Sequence, residues 1–178
     1  ESIGELENTI VVVSGDNGMP FPRCKATLYD QGTRVPLAIR WGREVPGGRR
    51  VTDFASFVDF APTFLDVAGA PIPDDMQGRS LVPLFEGNTP DDWRDAIYYQ
   101  YYEYPGVHSV QRHYGIRTDR FKLIRYYLID EWELFDLVED PDEMNNRYSD
   151  PQYAEVRDEL MDWLRRLIRE LGDPVEAS

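Results

Sequence analysis

The sequence predicts an α/β protein with two sheets, and three observations carry that expectation. Asn8-Thr-Ile-Val-Val-Val-Ser14 is an unbroken β-branched run, the pattern of a strand buried on both faces of a mostly parallel sheet. Three tyrosine-rich or alternating segments, residues 96–103, 113–127 and 133–137, read as antiparallel strands of a second, smaller sheet. Beyond them, Asp150-Pro151 places an N-cap before a proline at the first helical position. The helix so opened carries Tyr153, Val156, Leu160, Trp163, Leu164, Leu167 and Leu171 on one stripe, which suits packing on that sheet.

Between these landmarks the elements follow in order. The first strand stops at Gly15-Asp16-Asn17-Gly18, and a proline-rich loop over residues 19–22 follows. Leu37-Ala-Ile-Arg-Trp41 is a second apolar run and reads as another strand of the first sheet. Residues 57–68 have apolar positions at helical spacing and end on Gly69, with Pro62 marking the start of the regular helix. Residues 78–87 read as one short helical turn flanked by glycines. The expected division is residues 1–92 for the first sheet region and residues 93–178 for the antiparallel sheet with its helix. No internal repeat or low-complexity tract interrupts the chain.

Composition narrows the function classes. With 42% apolar and 29% charged residues the chain has the balance of a packed globular protein. The run from Ile10 to Val13 falls far short of the roughly 20 apolar residues of a bilayer span, so no membrane span is expected. The net charge of −14, from 19 basic and 33 acidic residues, repels polyanions at long range and argues against nucleic acid as a partner. Arg34, Arg40, Arg43, Arg49 and Arg50 nevertheless group early in the chain, which keeps a local anion site in view there. Cys24 is the single cysteine, so neither an intrachain disulfide nor a cysteine-rich zinc site can form. The chain starts without methionine and reaches a strand almost at once, the start expected of a piece of a longer protein.

Chemistry is expected where the first strand ends, because ligands of open α/β sheets bind beyond the carboxyl ends of strands. Asp16 and Asn17 stand there with hard oxygen donors, which favour calcium or magnesium over zinc. Asp-Asn-Gly is equally a turn signal. Lys25, nine residues beyond Asp16, is a compact cation able to hold a sulfate or phosphate oxygen, although a lone lysine is more often only solvated. Tyr98, Tyr99, Tyr101, Tyr102 and Tyr104 could stack on a sugar ring, but sheet packing is the commoner use of such a cluster. The acid run Glu139-Asp-Pro-Asp-Glu143 lacks EF-hand spacing and reads as a solvated turn.

Six ordered blocks resemble one family. They are Val13-Ser-Gly-Asp-Asn-Gly18, Lys25-Ala-Thr-Leu-Tyr-Asp-Gln-Gly-Thr-Arg-Val-Pro-Leu37, residues 58–69, residues 77–84, residues 114–124 and residues 133–146. Together they are similar to the C-terminal part of the type I, formylglycine-dependent sulfatases of the alkaline phosphatase superfamily. The resemblance implies an alkaline phosphatase-like fold, with part of the large central sheet followed by a small antiparallel sheet and a C-terminal helix. It implies a calcium ion with Asp16 and Asn17 among its ligands and Lys25 as the lysine that contacts sulfate. It implies hydrolysis of a sulfate ester on a carbohydrate or aryl substrate, and a protein of the periplasm or cell exterior. The family's Cys/Ser-x-Pro-x-Arg nucleophile motif does not occur in these residues, because Cys24 is followed by Lys25-Ala26-Thr27. The first pair of calcium-binding aspartates is absent too, so these residues alone are expected to be inactive.

Residues 20–25 are similar to heparan N-sulfatases, whereas residues 104–114 resemble bacterial arylsulfatases and N-acetylglucosamine-6-sulfatases. His108, Arg112 and His113 lie in that second stretch and are candidates for substrate contact, against the ordinary alternative of strand-edge or core residues. Two alternatives to a sulfatase stay open at this point: a phosphonate or phosphodiester hydrolase of the same superfamily, and a noncatalytic sulfated-glycan binding module.

Overall fold

A computed structural model describes residues 3–42 and 44–175. Arg43 of the early basic group lies outside the described residues. The chain divides into two compact units, Glu1–Val13 with Leu37–Arg94, and Ser14–Pro36 with Asp95–Ser178. Residues 14–36, expected with the first sheet region, thus pack with the antiparallel sheet.

In the first unit β1 (Ile10–Ser14) pairs with β2 (Leu37–Trp41) in a two-stranded sheet. The two apolar runs form strands as expected, but not with both faces covered: Val13 is 64% exposed and Leu37 is exposed as well. Each strand has one neighbour among the described residues, and two strands bury little of either face. α2 (Phe60–Val67) is entered through a 3₁₀ turn over Phe57–Asp59. Ser56 and Asp59 form a reciprocal capping box there, with the Ser56 N–H donating to Asp59 Oδ2 at 2.8 Å. Pro62 falls in the first turn of α2, where its missing N–H has no helical partner to lose. Asp59 is fully buried and also accepts both terminal nitrogens of Arg94, at 2.8 and 2.6 Å. That fork meets the need of a buried carboxylate for charge and hydrogen-bond partners. α3 (Val82–Glu86) contributes Leu84 and Phe85 to a core with Leu81 and Trp93, on which Ile39, Trp41 and Phe60 pack.

In the second unit β3 (Ala96–Tyr101), β4 (His113–Thr118), β5 (Phe121–Tyr126) and β6 (Glu131–Asp136) form an antiparallel sheet in chain order. The segment 113–127, expected as one strand, is a hairpin. Pairing of Arg117 with Lys122 leaves Asp119 and Arg120 at its tip. The tip lacks the glycine that usually marks a two-residue turn. Thr118 closes it instead, accepting from the Phe121 N–H at 2.9 Å and donating to the Phe121 carbonyl at 3.1 Å.

Strand alternation divides the sheet into two buried faces. One face presents Ala96, Tyr114, Ile116, Leu123 and Leu134 to Leu160, Leu164 and Ile168 of α4 (Ala154–Glu170). These three helix residues recur every fourth position, and burying each contributes about 2 kcal/mol. Asp150 caps the preceding 3₁₀ turn, Pro151–Tyr153, accepting from the Gln152 N–H at 3.0 Å. The opposite face presents Ile124 and Phe135, and the segment 14–36 covers it with Leu28 and Tyr29. Gly115 makes that approach feasible, because a Cβ there would stand 2.4 Å from Leu28 Cδ2.

Candidate active site

Asp16 and Asn17 follow β1, and the loop beyond them folds back in a way that the sequence spacing only suggested. The Lys25 N–H donates to the Met19 carbonyl at 3.2 Å, and the Gly18 N–H donates to the Gly32 carbonyl at 3.0 Å. Lys25 therefore returns to the loop that leaves the Asp16-Asn17 corner. Only glycine fits at position 18, where a Cβ would meet the Gln31 carbonyl oxygen at 2.3 Å and Gly32 Cα at 2.7 Å. Arg23 and Ala26, on either side of Lys25, both hold positive φ of 65°. Non-glycine residues adopt that conformation at a cost, and it persists where surrounding contacts determine the backbone.

Among the described residues the Asp16 carboxylate, the Asn17 carboxamide and the Lys25 ammonium have no hydrogen-bond or ionic partner. The early arginines are more occupied. Arg40 pairs with Glu7 at 2.6 Å, Arg49 donates to the Phe85 carbonyl, and Arg34 lies 3.9 Å from Asp30. No group of three or more His, Cys, Asp or Glu among the described residues could hold a metal ion. Asp16 and Asn17 are nevertheless two unengaged hard oxygen donors, which fits a corner of an oxygen-ligated metal site and not a whole one.

The loop carrying Lys25 is anchored by charges that the sequence reading passed over. α1 (Asp30–Thr33) begins five residues after Lys25. The fully buried Lys122 ammonium lies 2.6 Å from Asp30 Oδ1 and 2.5 Å from Glu143 Oε1. Arg117 approaches Asp30 Oδ2 at 3.2 Å. Burial raises the Asp30 carboxyl, but Lys122 and Arg117 outweigh it and hold the group below its ordinary range. Tyr29 packs edge-on to Phe135, lies under the Arg23 guanidinium at 4.0 Å, and donates to Glu133 Oε2 at 2.7 Å. Burial pushes the Tyr29 phenol up to about 12, so it remains a donor at neutral pH.

His108 is exposed, in the connection between β3 and β4. Arg112 donates to the Tyr104 carbonyl at 2.7 Å, while its Nε is buried without a partner. His113 opens β4 and is fully buried. Its Nδ1 lies 2.8 Å from the Gln111 carbonyl, its Nε2 has no partner, and its ring packs against Tyr99, Tyr101 and Tyr126. Burial lowers its pKa, so the ring is neutral near pH 7, with Nδ1 donating to Gln111. No hydrogen bond, ion pair or ring contact joins these three residues to Asp16, Asn17 or Lys25. Of the tyrosine cluster, Tyr99 and Tyr101 pack on His113 and Tyr98 donates to Asp173 at 3.0 Å, whereas Tyr102 is exposed.

The sequence pattern of the family described as N-sulphoglucosamine sulphohydrolase, C-terminal, matches residues 23–170. The chain belongs to that family. It is 48% identical over 180 residues to an N-acetylglucosamine-6-O-sulfatase of Bacteroides thetaiotaomicron, covering 97% of this chain and 32% of the relative. A protein solved in complex with its substrate D-glucosamine-2-N,6-O-disulfate shares the fold with a TM-score of 0.94 and 45% identity, over 99% of this chain and 37% of that one. The phosphonate monoester hydrolase of Agrobacterium radiobacter matches with a TM-score of 0.81 and 28% identity, over 96% of this chain and 37% of that chain. The chain spans about a third of the length of these relatives. The fold is that of the alkaline phosphatase-like sulfatases, as the six sequence blocks led one to expect.

Within this sulfatase family chain the matched region contains both Lys25 and the residues that hold its loop. The pairing of Asp30, Arg117, Lys122 and Glu143 is not readable from the sequence, because it joins three stretches of chain far apart from one another. The acid run 139–143 is a turn as read, with Glu139 and Asp142 exposed, but Glu143 turns inward and is fully buried. The one signal available was the position of Lys122 in a strand whose neighbours are apolar, where an ammonium needs carboxylate partners.

Proposed function

We propose that these residues are the C-terminal part of a sulfuric ester hydrolase acting on a sulfated glucosamine or a related sulfated glycan. The observation that carries the proposal is the Lys25 loop folded back beside the Asp16-Asn17 corner, in a chain 48% identical to an N-acetylglucosamine-6-O-sulfatase. An unpaired ammonium and two unpaired oxygen donors suit part of a site for a sulfate and a cation.

In this assignment Asp16 Oδ and the Asn17 side-chain oxygen would hold a calcium ion, together with oxygen ligands that these 178 residues do not supply. A calcium ion held there would supply positive charge to the nonbridging oxygens of a bound sulfate. Lys25 donates a hydrogen bond to a sulfate oxygen and offsets charge that grows in the transition state. Its contribution depends on the ammonium being held in place beforehand, because a donor that must first reorganise gives up much of its effect. The nucleophile lies outside these residues, which contain no Cys/Ser-x-Pro-x-Arg. His108 and Arg112 are assigned to substrate contact. His113 shapes the same loop through its bond to Gln111, since its ring is enclosed by tyrosines.

The phosphonate monoester hydrolase is a second reading with a structural neighbour behind it, but its 28% identity gives it less support than the 6-O-sulfatase relative. Turnover of an aryl sulfate and an aryl phosphonate by the full-length protein, with calcium and after chelation, separates them. Calcium-dependent sulfate release is expected. Cleavage of the phosphonate alone would remove the sulfatase assignment.

A further inference from the structure

Glu143 holds the segment bearing Lys25 at both ends. Its backbone carbonyl accepts from the Arg23 guanidinium, two residues before Lys25. Its carboxylate accepts from the Asp30 N–H at 2.7 Å, five residues after Lys25. The other carboxylate oxygen faces Lys122 at 2.5 Å, and Lys122 also reaches Asp30 Oδ1 at 2.6 Å. Glu143 itself sits at φ 56°, a left-handed conformation that a non-glycine residue keeps only where contacts determine it.

The bonds converge on one short piece of backbone. Arg23 and Ala26 carry positive φ within it, and Lys25 lies between them. A side chain needed only to fill the sheet face could be apolar, as Ile124 and Phe135 are on that same face. Burying an ammonium and two carboxylates there is costly, and replacing such a group with apolar residues is often neutral or stabilising. What the charges supply is a fixed register between the sheet and the loop, since their hydrogen bonds have one geometry in which all are met.

We infer that Glu143, backed by Lys122, is a positioning residue that fixes the Lys25 loop and thereby the place of the Lys25 ammonium. The inference rests on the role of Lys25 proposed above. Glu143→Gln tests it with minimal change of shape. A glutamine has one oxygen, so its amide must turn NH2 toward either Lys122 or the Asp30 N–H, and one of the two contacts is lost.

The full-length enzyme is assayed for kcat and KM on a 6-O-sulfated glucosamine as Lys25→Ala, Glu143→Gln and the double variant. Lys25→Ala is expected to lose on the order of a hundredfold in kcat. Glu143→Gln is expected to lose about tenfold in kcat with KM within about twofold, because a misplaced donor weakens the transition state more than the ground state. The double variant is expected to match Lys25→Ala within about twofold, since Glu143 acts through a group already removed. A further pair, Lys122→Met with Glu143→Gln, removes two of the three buried charges together and leaves Asp30 with Arg117. It is expected to regain thermal stability over Glu143→Gln while keeping the low kcat.

Wild-type kcat in Glu143→Gln, or losses in the double variant that multiply, would overturn the positioning role while leaving Lys25 in place. Near wild-type kcat in Lys25→Ala would instead overturn the assignment of Lys25 and this inference with it. Should Glu143→Gln not fold, the Lys122→Met/Glu143→Gln protein is judged by the same comparison with and without Lys25→Ala.

Discussion

Replacing Lys122 with methionine probes the charge cluster behind the Lys25 loop from its other side. The ammonium is fully buried and bridges Asp30 and Glu143 at 2.6 and 2.5 Å. Methionine keeps much of the side-chain volume but strands the Glu143 carboxylate, which retains only the Asp30 N–H. Asp30 fares better, because Arg117 still reaches it at 3.2 Å. Breaking a buried pair from one side costs roughly 3–5 kcal/mol, and the surviving Arg117 contact argues for the lower end, about 3 kcal/mol. For a cooperative domain of about 150–250 residues that corresponds to a melting temperature lowered by roughly 6–12 °C, and by less in a longer one.

The effect should also depend on pH, with a sign that follows from Asp30. Its carboxyl is depressed in the folded state, so the stability it contributes is present above the ordinary carboxylate range and is lost as pH falls through the depressed value. The gap between parent and Lys122→Met should therefore be full at pH 7 and shrink below about pH 4. Thermal unfolding of the full-length protein, with hydrogen exchange at residues 23–33 to localise the change, reads both. A variant within about 0.5 kcal/mol of the parent at pH 7 would refute the reasoning, since that is the range of an ordinary surface substitution.

Three other substitutions have defined outcomes. Gly18→Ala pushes a methyl group into the Gln31 carbonyl and should cost about 2 kcal/mol or more in chemical denaturation, with activity falling alongside; an unchanged midpoint would show that the loop yields freely. Asp16→Ala should weaken calcium binding to the full-length protein by at least about tenfold in a calorimetric titration, and unchanged affinity would remove Asp16 from the ligand set. For His113, the folded pKa is lowered by burial, so protonation favours the unfolded chain and stability should decline as pH drops below about 6.5. In His113→Phe that part of the decline should vanish from a plot of melting temperature against pH, and a profile that is unchanged would show that another group titrates.

Much of the fold was legible because it follows local rules. The β-branched run and the stripe of Leu160 and Leu164 declare their periods without reference to anything distant. The hairpin at Asp119-Arg120 was hidden because Thr118, and not a glycine, closes the turn. The placement of residues 14–36 on the sheet was hidden for a different reason: it depends on Leu28 meeting Gly115 and on Asp30 meeting Lys122, contacts between residues far apart in the chain. The same holds for the site. Asp16, Asn17 and Lys25 stand in a recognisable string, whereas Glu143 looked like one more solvated acid in an acidic turn. Burial decides its role, and burial is a property of the packed molecule.

The most direct test of the central claim is sulfate release from D-glucosamine-2-N,6-O-disulfate by the full-length protein, followed by ion chromatography, with Lys25→Ala alongside. Release of the 6-O-sulfate by the parent is expected, with a loss on the order of a hundredfold in Lys25→Ala. Release that is equal in the two proteins would contradict the site, and no release from this or any sulfated sugar by the parent would contradict the function.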